Sequence, residues 1–328
     1  MIKSNIIKDI SLPISNELKE FNSFFKSTLE SDVKLINYVI NYIVKLKGKQ
    51  FRPILSILCS KLHGNESNEN TYLSASIVEI LHVATLLHDD VVDESDLRRG
   101  WPAVHKIWKN KLTILVGDYM FSKALINTAS LDDISSIREL SSLSKRLSEG
   151  EILQIEKSYN KNMSEEIYFK MISDKTASLI SSSCYFGYRS INTDNECAEN
   201  LRQFGELLGI CYQLKDDLFD IVGNIKDTGK PSSLDIKKNM LTLPYIYMLE
   251  SVNPSERKKI LSKLKYNIKV KDMSNLKRMI VNYGGIDYTE NKINELSKNA
   301  IGILDKFPNS SYKDSLIQIV EFNKKRKY

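Results

Sequence analysis

Glu79-Ile-Leu-His-Val-Ala-Thr-Leu-Leu-His-Asp-Asp-Val-Val-Asp-Glu-Ser-Asp-Leu-Arg-Arg-Gly100 closes a long apolar run with three aspartates, Asp89, Asp90 and Asp93. With about 3.6 residues per turn, these positions fall at about 0°, 100° and 40° around a helix axis, so the carboxylates share one face. Like charges one turn apart cost a few tenths of a kcal/mol even on an exposed helix. Three of them at the end of an apolar stripe cost more unless a cation lies between them. The stretch therefore reads as a helix that holds Mg²⁺ and, through it, phosphate.

The chain on either side follows the same period. Only 13 glycines and 7 prolines interrupt 328 residues, and apolar positions recur at helical rather than alternating spacing. Amphipathic helices are expected over Ile14–Leu29 and Val33–Leu46, then over 53–63 with Pro53 as the first helical residue. After a polar loop at 65–70, the aspartate-bearing helix is expected from Tyr72 to about Asp96, where Gly100-Trp-Pro102 stops it. Further helices are expected over roughly 111–130, 132–158, 164–190, 195–223, 236–251, 255–265, 272–283, 286–306 and 310–326. No segment has a strand period, and no linker divides the chain. The expected fold is all-α, a single-domain helical bundle over residues 1–328.

Composition narrows the class. At 42% hydrophobic and 27% charged residues, the chain is a globular protein with enough length to bury a large core. A net charge of +6 is mild. It suits a small anion or a transient membrane-surface contact and gives no nucleic-acid signature. The stretch Met1-Ile-Lys-Ser-Asn-Ile-Ile-Lys-Asp lacks the apolar core of a signal peptide, and no run reaches the ~18 apolar residues of a transmembrane span. Cys59, Cys184, Cys197 and Cys211 are scattered without zinc-type pairing, which fits reduced thiols and a cytoplasmic location.

A second acidic set repeats the first. In Tyr212-Gln-Leu-Lys-Asp-Asp-Leu-Phe-Asp220, Asp216, Asp217 and Asp220 again stand at i, i+1 and i+4. A single such cluster is compatible with a solvated helix end. Two, each embedded in apolar residues, suit several Mg²⁺ ions gripping one diphosphate and neutralising it as it departs. Basic residues that could contact such a diphosphate are Lys49, Arg52, Arg98, Arg99, Lys175 beside Thr176, and Lys230. For most of the 47 Lys and Arg residues a solvated surface position is the better explanation, but Arg98-Arg99 follow an acidic helix end by about one turn.

Taken together, these stretches resemble a trans-isoprenyl (polyprenyl) diphosphate synthase of the long-chain branch. The likeness is carried by Gly48-Lys-Gln-Phe-Arg-Pro53, Leu86-Leu-His-Asp-Asp-Val-Val-Asp93, Arg98-Arg-Gly100, Val116-Gly-Asp-Tyr119, Lys175-Thr176, Tyr212-Gln-Leu-Lys-Asp-Asp217, Gly229-Lys-Pro231, Asp235, Thr242-Leu-Pro244 and Tyr283-Gly-Gly285. It implies an isoprenoid-synthase-type bundle with a central cavity, about three Mg²⁺ ions, and a homodimer. The reaction it implies condenses isopentenyl diphosphate with an allylic diphosphate. By resemblance, Asp89, Asp90, Asp93 and Asp216, and less directly Asp217 and Asp220, bind metal. Arg98, Lys175 and Lys230 contact the allylic diphosphate. Lys49, Arg52, His82 and Arg99 hold isopentenyl diphosphate, while Thr176 and Gln213 place oxygens near the developing carbocation. Three residues depart from the pattern: Gln50 stands where the family usually has arginine, and Asn239-Met240 stand where it usually has Gly-Lys.

Ala84 and Thr85 lie five and four residues before Asp89, where the resemblance puts the wall of the product passage. Their small side chains leave it open, which implies a product longer than twenty carbons; core packing explains Ala84 equally well by itself. Met120, Phe121 and Leu125 are candidates for the floor. A geranylgeranyl or farnesyl diphosphate synthase differs from this reading only in product length. A class I terpene cyclase usually carries one aspartate cluster and no isopentenyl pocket, and a non-catalytic partner subunit would be expected to lack one cluster. Glu79-x-x-His82 is a di-iron unit, but His63, His88 and His105 follow Ser60, Thr85 and Pro102 at that spacing, so no second unit exists. His88-Asp89 hints at a metal phosphohydrolase, without further histidines to complete it.

Overall fold

The computed structural model describes residues 2–45, 48–64, 66–160, 162–222, 240–265 and 270–326. It is all-α apart from one minimal hairpin. The helices are α1 (Ile2–Ile10), α2 (Ser15–Thr28), α3 (Lys34–Lys45), α4 (Phe51–Ser60), α5 (Glu69–Val92), α6 (Val104–Ala129), α7 (Ile134–Asn160), α8 (Glu165–Ile172), α9 (Ser178–Arg189) and α10 (Asn195–Val222). After the undescribed stretch come α11 (Leu243–Ser251), α12 (Pro254–Lys265), α13 (Val270–Asn282), α14 (Gly285–Leu304) and α15 (Ser311–Lys325). Among the described residues, no helix is long and apolar enough to cross a membrane. All four cysteines are free thiols.

Local chemistry explains where the elements differ from expectation. Helix α4 begins at Phe51, so Pro53 occupies its third position, where an N–H would also lack an intrahelical partner. Helix α5 begins at Glu69 because Asn68 and Thr71 cap each other reciprocally. It ends at Val92 rather than near Asp96. The chain there turns into strands β1 (Leu97–Arg98) and β2 (Trp101–Pro102), too short for any period to be visible in sequence. Arg99 and Gly100 close the hairpin with φ of 54° and 81°, both left-handed, as a two-residue turn that matches strand twist requires. Lys109, at φ 64°, breaks α6 near its start. The continuous helix expected over 164–190 is instead α8 and α9 joined by a π turn, Ser173–Ala177.

Two compact units emerge, neither continuous in sequence. The first comprises Met1–Leu143, Leu179–Arg202 and Asp305–Leu316; the second comprises Ser144–Ser178, Gln203–Leu304 and Ile317–Tyr328. In the first, α5 packs along α6 and against α4, and every residue of α4 from Pro53 to Ser60 is buried. In the second, Tyr168, Leu214, Leu218, Leu243, Tyr245, Ile280 and Ile293 belong to one apolar core. Met240 packs against that core.

Candidate active site

In the first unit, the three aspartates of α5 take different environments. Asp90 is 1% exposed and faces Arg98, whose Nε donates to both its oxygens, at 2.9 and 2.7 Å, while Nη2 donates at 2.7 Å. Asp89 is half-buried and Asp93 exposed, one turn apart, with the Asp93 amide donating to the Asp89 carbonyl at 2.8 Å. The hairpin presents Arg98 to Asp90, and its left-handed turn sends Arg99 to Gly48. A Cβ at Gly48 would lie 2.5 Å from the Arg99 guanidinium, so only glycine lets that side chain rest there.

Next to them on α5 is His82. Burial lowers its pKa well below the usual histidine value, and Arg52, Arg99 and Arg98 lower it further. A neutral imidazole crowded by three guanidinium groups is an environment prepared for an anion. His82, Arg98 and Arg99 border an open cleft whose other walls include Phe25, Ile40, Val83, Leu87 and Met120. Lys49 is exposed at the same segment. Gln50 caps α4 at φ 50° and donates to Asn22 on α2 at 2.9 Å, so its side chain is tied to the scaffold. Ala84 is 2% exposed, and the Thr85 hydroxyl donates to the His82 carbonyl at 2.9 Å; neither lines this cleft. Of the expected floor residues, Met120 lines the cleft, whereas Leu125 is 47% exposed on the outer face of α6.

In the second unit, Lys175 and Thr176 sit in the π turn. The Lys175 ammonium pairs with Glu151 at 2.6 Å and donates to Gln154 at 2.9 Å. Thr176 Oγ1 donates to Gln213 Oε1 at 2.9 Å, and Gln213 Nε2 donates to Asp217 at 2.7 Å. Asp217, 4% exposed, also accepts from the Tyr168 hydroxyl at 2.5 Å. Asp216 is more open, at 42% side-chain exposure, and meets Arg326 Nη2 at 2.6 Å. The Arg326 guanidinium lies over the rings of Tyr212 and Phe219. Beside the turn, Arg146 binds Asp174 and Glu206. Burial by itself would lower its pKa, but Glu206 and Asp174 outweigh that and raise it. Lys230 and Asn239 lie outside the described residues, as do Asp235 and Gly229-Lys-Pro231.

Both acidic sets end long helices, where the macrodipole is negative. Carboxylates there oppose the dipole and each other, a doubly unfavourable arrangement that a cation relieves. Each set has an arginine on one member, Arg98 on Asp90 and Arg326 on Asp216. Among the described residues, no three His, Cys, Asp or Glu side chains form a metal cage. Mg²⁺ binds through one or two carboxylates, substrate phosphate and water, so the all-oxygen pair Asp89/Asp93 and the more open Asp216 fit it. Sequence reasoning missed Tyr168, Arg146 and Arg326, which reach the site from distant segments without a local signal. Glu151 and Gln154, one turn apart on α7, did carry a helical-face signal.

The family model for polyprenyl synthetase matches residues 33–282. An all-trans-nonaprenyl-diphosphate synthase (geranyl-diphosphate specific) from Rhodobacter capsulatus is 30% identical over 315 residues, covering 95% of each chain. A solved decaprenyl diphosphate synthase from the same organism superposes with a TM-score of 0.90 at 27% identity, over 97% of this chain and 98% of that one. The Caulobacter crescentus polyprenyl synthase complexed with calcium and isoprenyl diphosphate gives a TM-score of 0.88 at 28% identity, over 98% of each.

Proposed function

Because the chain belongs to the polyprenyl synthetase family, we propose that it condenses isopentenyl diphosphate with an allylic diphosphate into a trans-polyprenyl diphosphate longer than twenty carbons. The observation that carries this is the placement of two aspartate sets at the negative ends of α5 and α10, with His82, Arg98 and Arg99 lining one cleft beside the first. About three Mg²⁺ ions held by Asp89, Asp93 and Asp216 would neutralise the charge of the departing diphosphate. Arg98 is held by Asp90, and Lys175 by Glu151 and Gln154, each within its own unit; the family reading assigns both to the allylic diphosphate. Thr176 and Gln213, chained to Asp217, offer oxygens to the allylic carbon as its C–O bond breaks. Lys49, Arg52, His82 and Arg99 hold isopentenyl diphosphate, whose double bond attacks that carbon. The proton lost from the new unit passes to the released diphosphate.

Labelled isopentenyl diphosphate, farnesyl diphosphate and Mg²⁺ test the reading. Incorporation into a product longer than twenty carbons is expected; no incorporation sinks the synthase assignment. Ala84→Phe shortens the product on thin-layer analysis if the buried Ala84 face bounds the growing chain, and unchanged length removes that assignment.

A homodimer completes the proposal. Helix α6 exposes Ile114, Leu115, Leu125 and Ile126 on one stripe, with Leu115 at 54% and Ile126 at 58%. An apolar helix face of this kind suits a second copy of the chain. Leu115→Glu combined with Ile126→Glu should halve the mass seen by light scattering; an unchanged dimer places the interface elsewhere.

A further inference from the structure

Lys175 and Thr176 owe their direction to a π turn, a rare element that persists where neighbours hold it. Arg146 and Glu206 close around it. Arg146 on α7 donates Nε to Asp174 Oδ1 and Nη2 to Ser173 Oγ, each at 2.7 Å. The same guanidinium spans Glu206 on α10, with Nη2 at 2.7 Å from Oε1 and Nη1 at 3.1 Å from Oε2. The Ser173 hydroxyl also donates to Glu206. Two glycines bring the helices close enough for this. A Cβ at Gly150, one turn beyond Arg146, would lie 2.6 Å from the Lys175 nitrogen, and one at Gly209, just past Glu206, would lie 2.5 Å from Ala177 Cα.

We propose that Arg146 is a positioning residue for prenyl transfer, its guanidinium fixing the π turn against α10 so that Thr176 meets Gln213 and Lys175 faces the diphosphate. This rests on the function proposed above. Glu206 lies two turns before Gln213 on the same helix, so the Arg146–Glu206 fork sets the register of the π turn against that helix. A planar fork with fixed donors does this; a single ammonium cannot reach Ser173, Asp174 and both Glu206 oxygens together. Nothing in this role requires Arg146 to touch substrate.

The test compares Arg146→Met and Arg146→Lys with the wild type, using labelled farnesyl diphosphate, isopentenyl diphosphate and Mg²⁺. Two quantities are read: turnover per active site from single-turnover amplitudes, and the ratio of prenyl alcohol to elongated product. The alcohol forms when water bonds to the allylic carbon as its bond to diphosphate breaks, the water proton passing to the released diphosphate. A displaced Thr176–Gln213 pair admits that water. Arg146→Met is expected to lower turnover per active site about tenfold and to raise the alcohol fraction about fivefold. Arg146→Lys should recover part of both, and KM for isopentenyl diphosphate should stay within about twofold in every variant. Exposed Lys145, on the same helix, is the control: Lys145→Met should match the wild type. A purely structural role lowers the melting temperature and the active fraction but moves neither reading, and that result overturns the proposal. If Arg146→Met does not fold, Glu206→Gln carries the same two measurements. A wild-type enzyme that makes no elongated product sinks the function proposed above, and this inference with it.

Discussion

Asp89→Ala should lower kcat/KM for elongation by about a thousandfold while leaving the fold intact or slightly more stable. Asp89 is half-buried near the negative end of α5, one turn from Asp93. Without Mg²⁺, repulsion from Asp93 and from the helix dipole, worth about 0.3–1 kcal/mol, offsets what its other contacts contribute. Asp90→Ala should behave oppositely with respect to stability. Asp90 is buried and carries the Arg98 guanidinium, so its removal leaves a cation over an apolar helix end and loosens the hairpin. Breaking a buried pair costs about 3–5 kcal/mol; Arg98 is 33% exposed, so about 2 kcal/mol is expected. Melting curves without metal and kinetics with metal separate the two variants. Equal melting temperatures would show that Asp90 does not anchor the hairpin.

Gly187→Ala should cost about 3 kcal/mol, a large effect for one methyl group. Helices α9 and α4 touch at this residue. A Cβ there would sit 2.1 Å from the Ser56 carbonyl oxygen and 2.6 Å from its Cα, and these are backbone atoms that cannot swing aside. Helix α4 is buried from Pro53 to Ser60, so separating the pair disturbs the core on every side. Gly302→Ala provides the opposite sign. Nothing lies within 4 Å of a Cβ there, and the residue is exposed within α14, so alanine gains about 0.5–1 kcal/mol through helix propensity. Denaturant melts of both variants check the pair. A Gly187→Ala protein as stable as the wild type would falsify the close contact between α4 and α9.

The features legible in the sequence were those with local causes. Helical period announced most of the helices, because apolar residues every three to four positions leave no other amphipathic solution. The paired Asp-Asp-x-x-Asp sets stood out because like charges at one-turn spacing need a cation. Ends and interruptions were less legible. Helix α5 stops at Val92 because the chain pairs Leu97–Arg98 with Trp101–Pro102, a hairpin too short to leave a pattern. The π turn inside the stretch expected as one helix is only five residues long, and a slip of phase over so few positions is hard to tell from the ordinary scatter of an apolar stripe. Leu125, expected at the floor of a passage, faces outward on α6.

The sequence by itself determined that this chain is all-α and that two like-charged acidic sets stand on helices among apolar residues, the pattern from which a metal–diphosphate site is proposed; this follows from side-chain chemistry and spacing along single helices. Only the tertiary structure decided which carboxylates are buried and which stay exposed to solvent. Asp90 goes to Arg98 and Asp217 to Tyr168 and Gln213, whereas Asp89, Asp93 and Asp216 remain partly or fully exposed. The reason is physical. A residue's spacing fixes its direction on its own helix, but its burial and partners depend on which distant segments pack against that helix, and those are set by the fold.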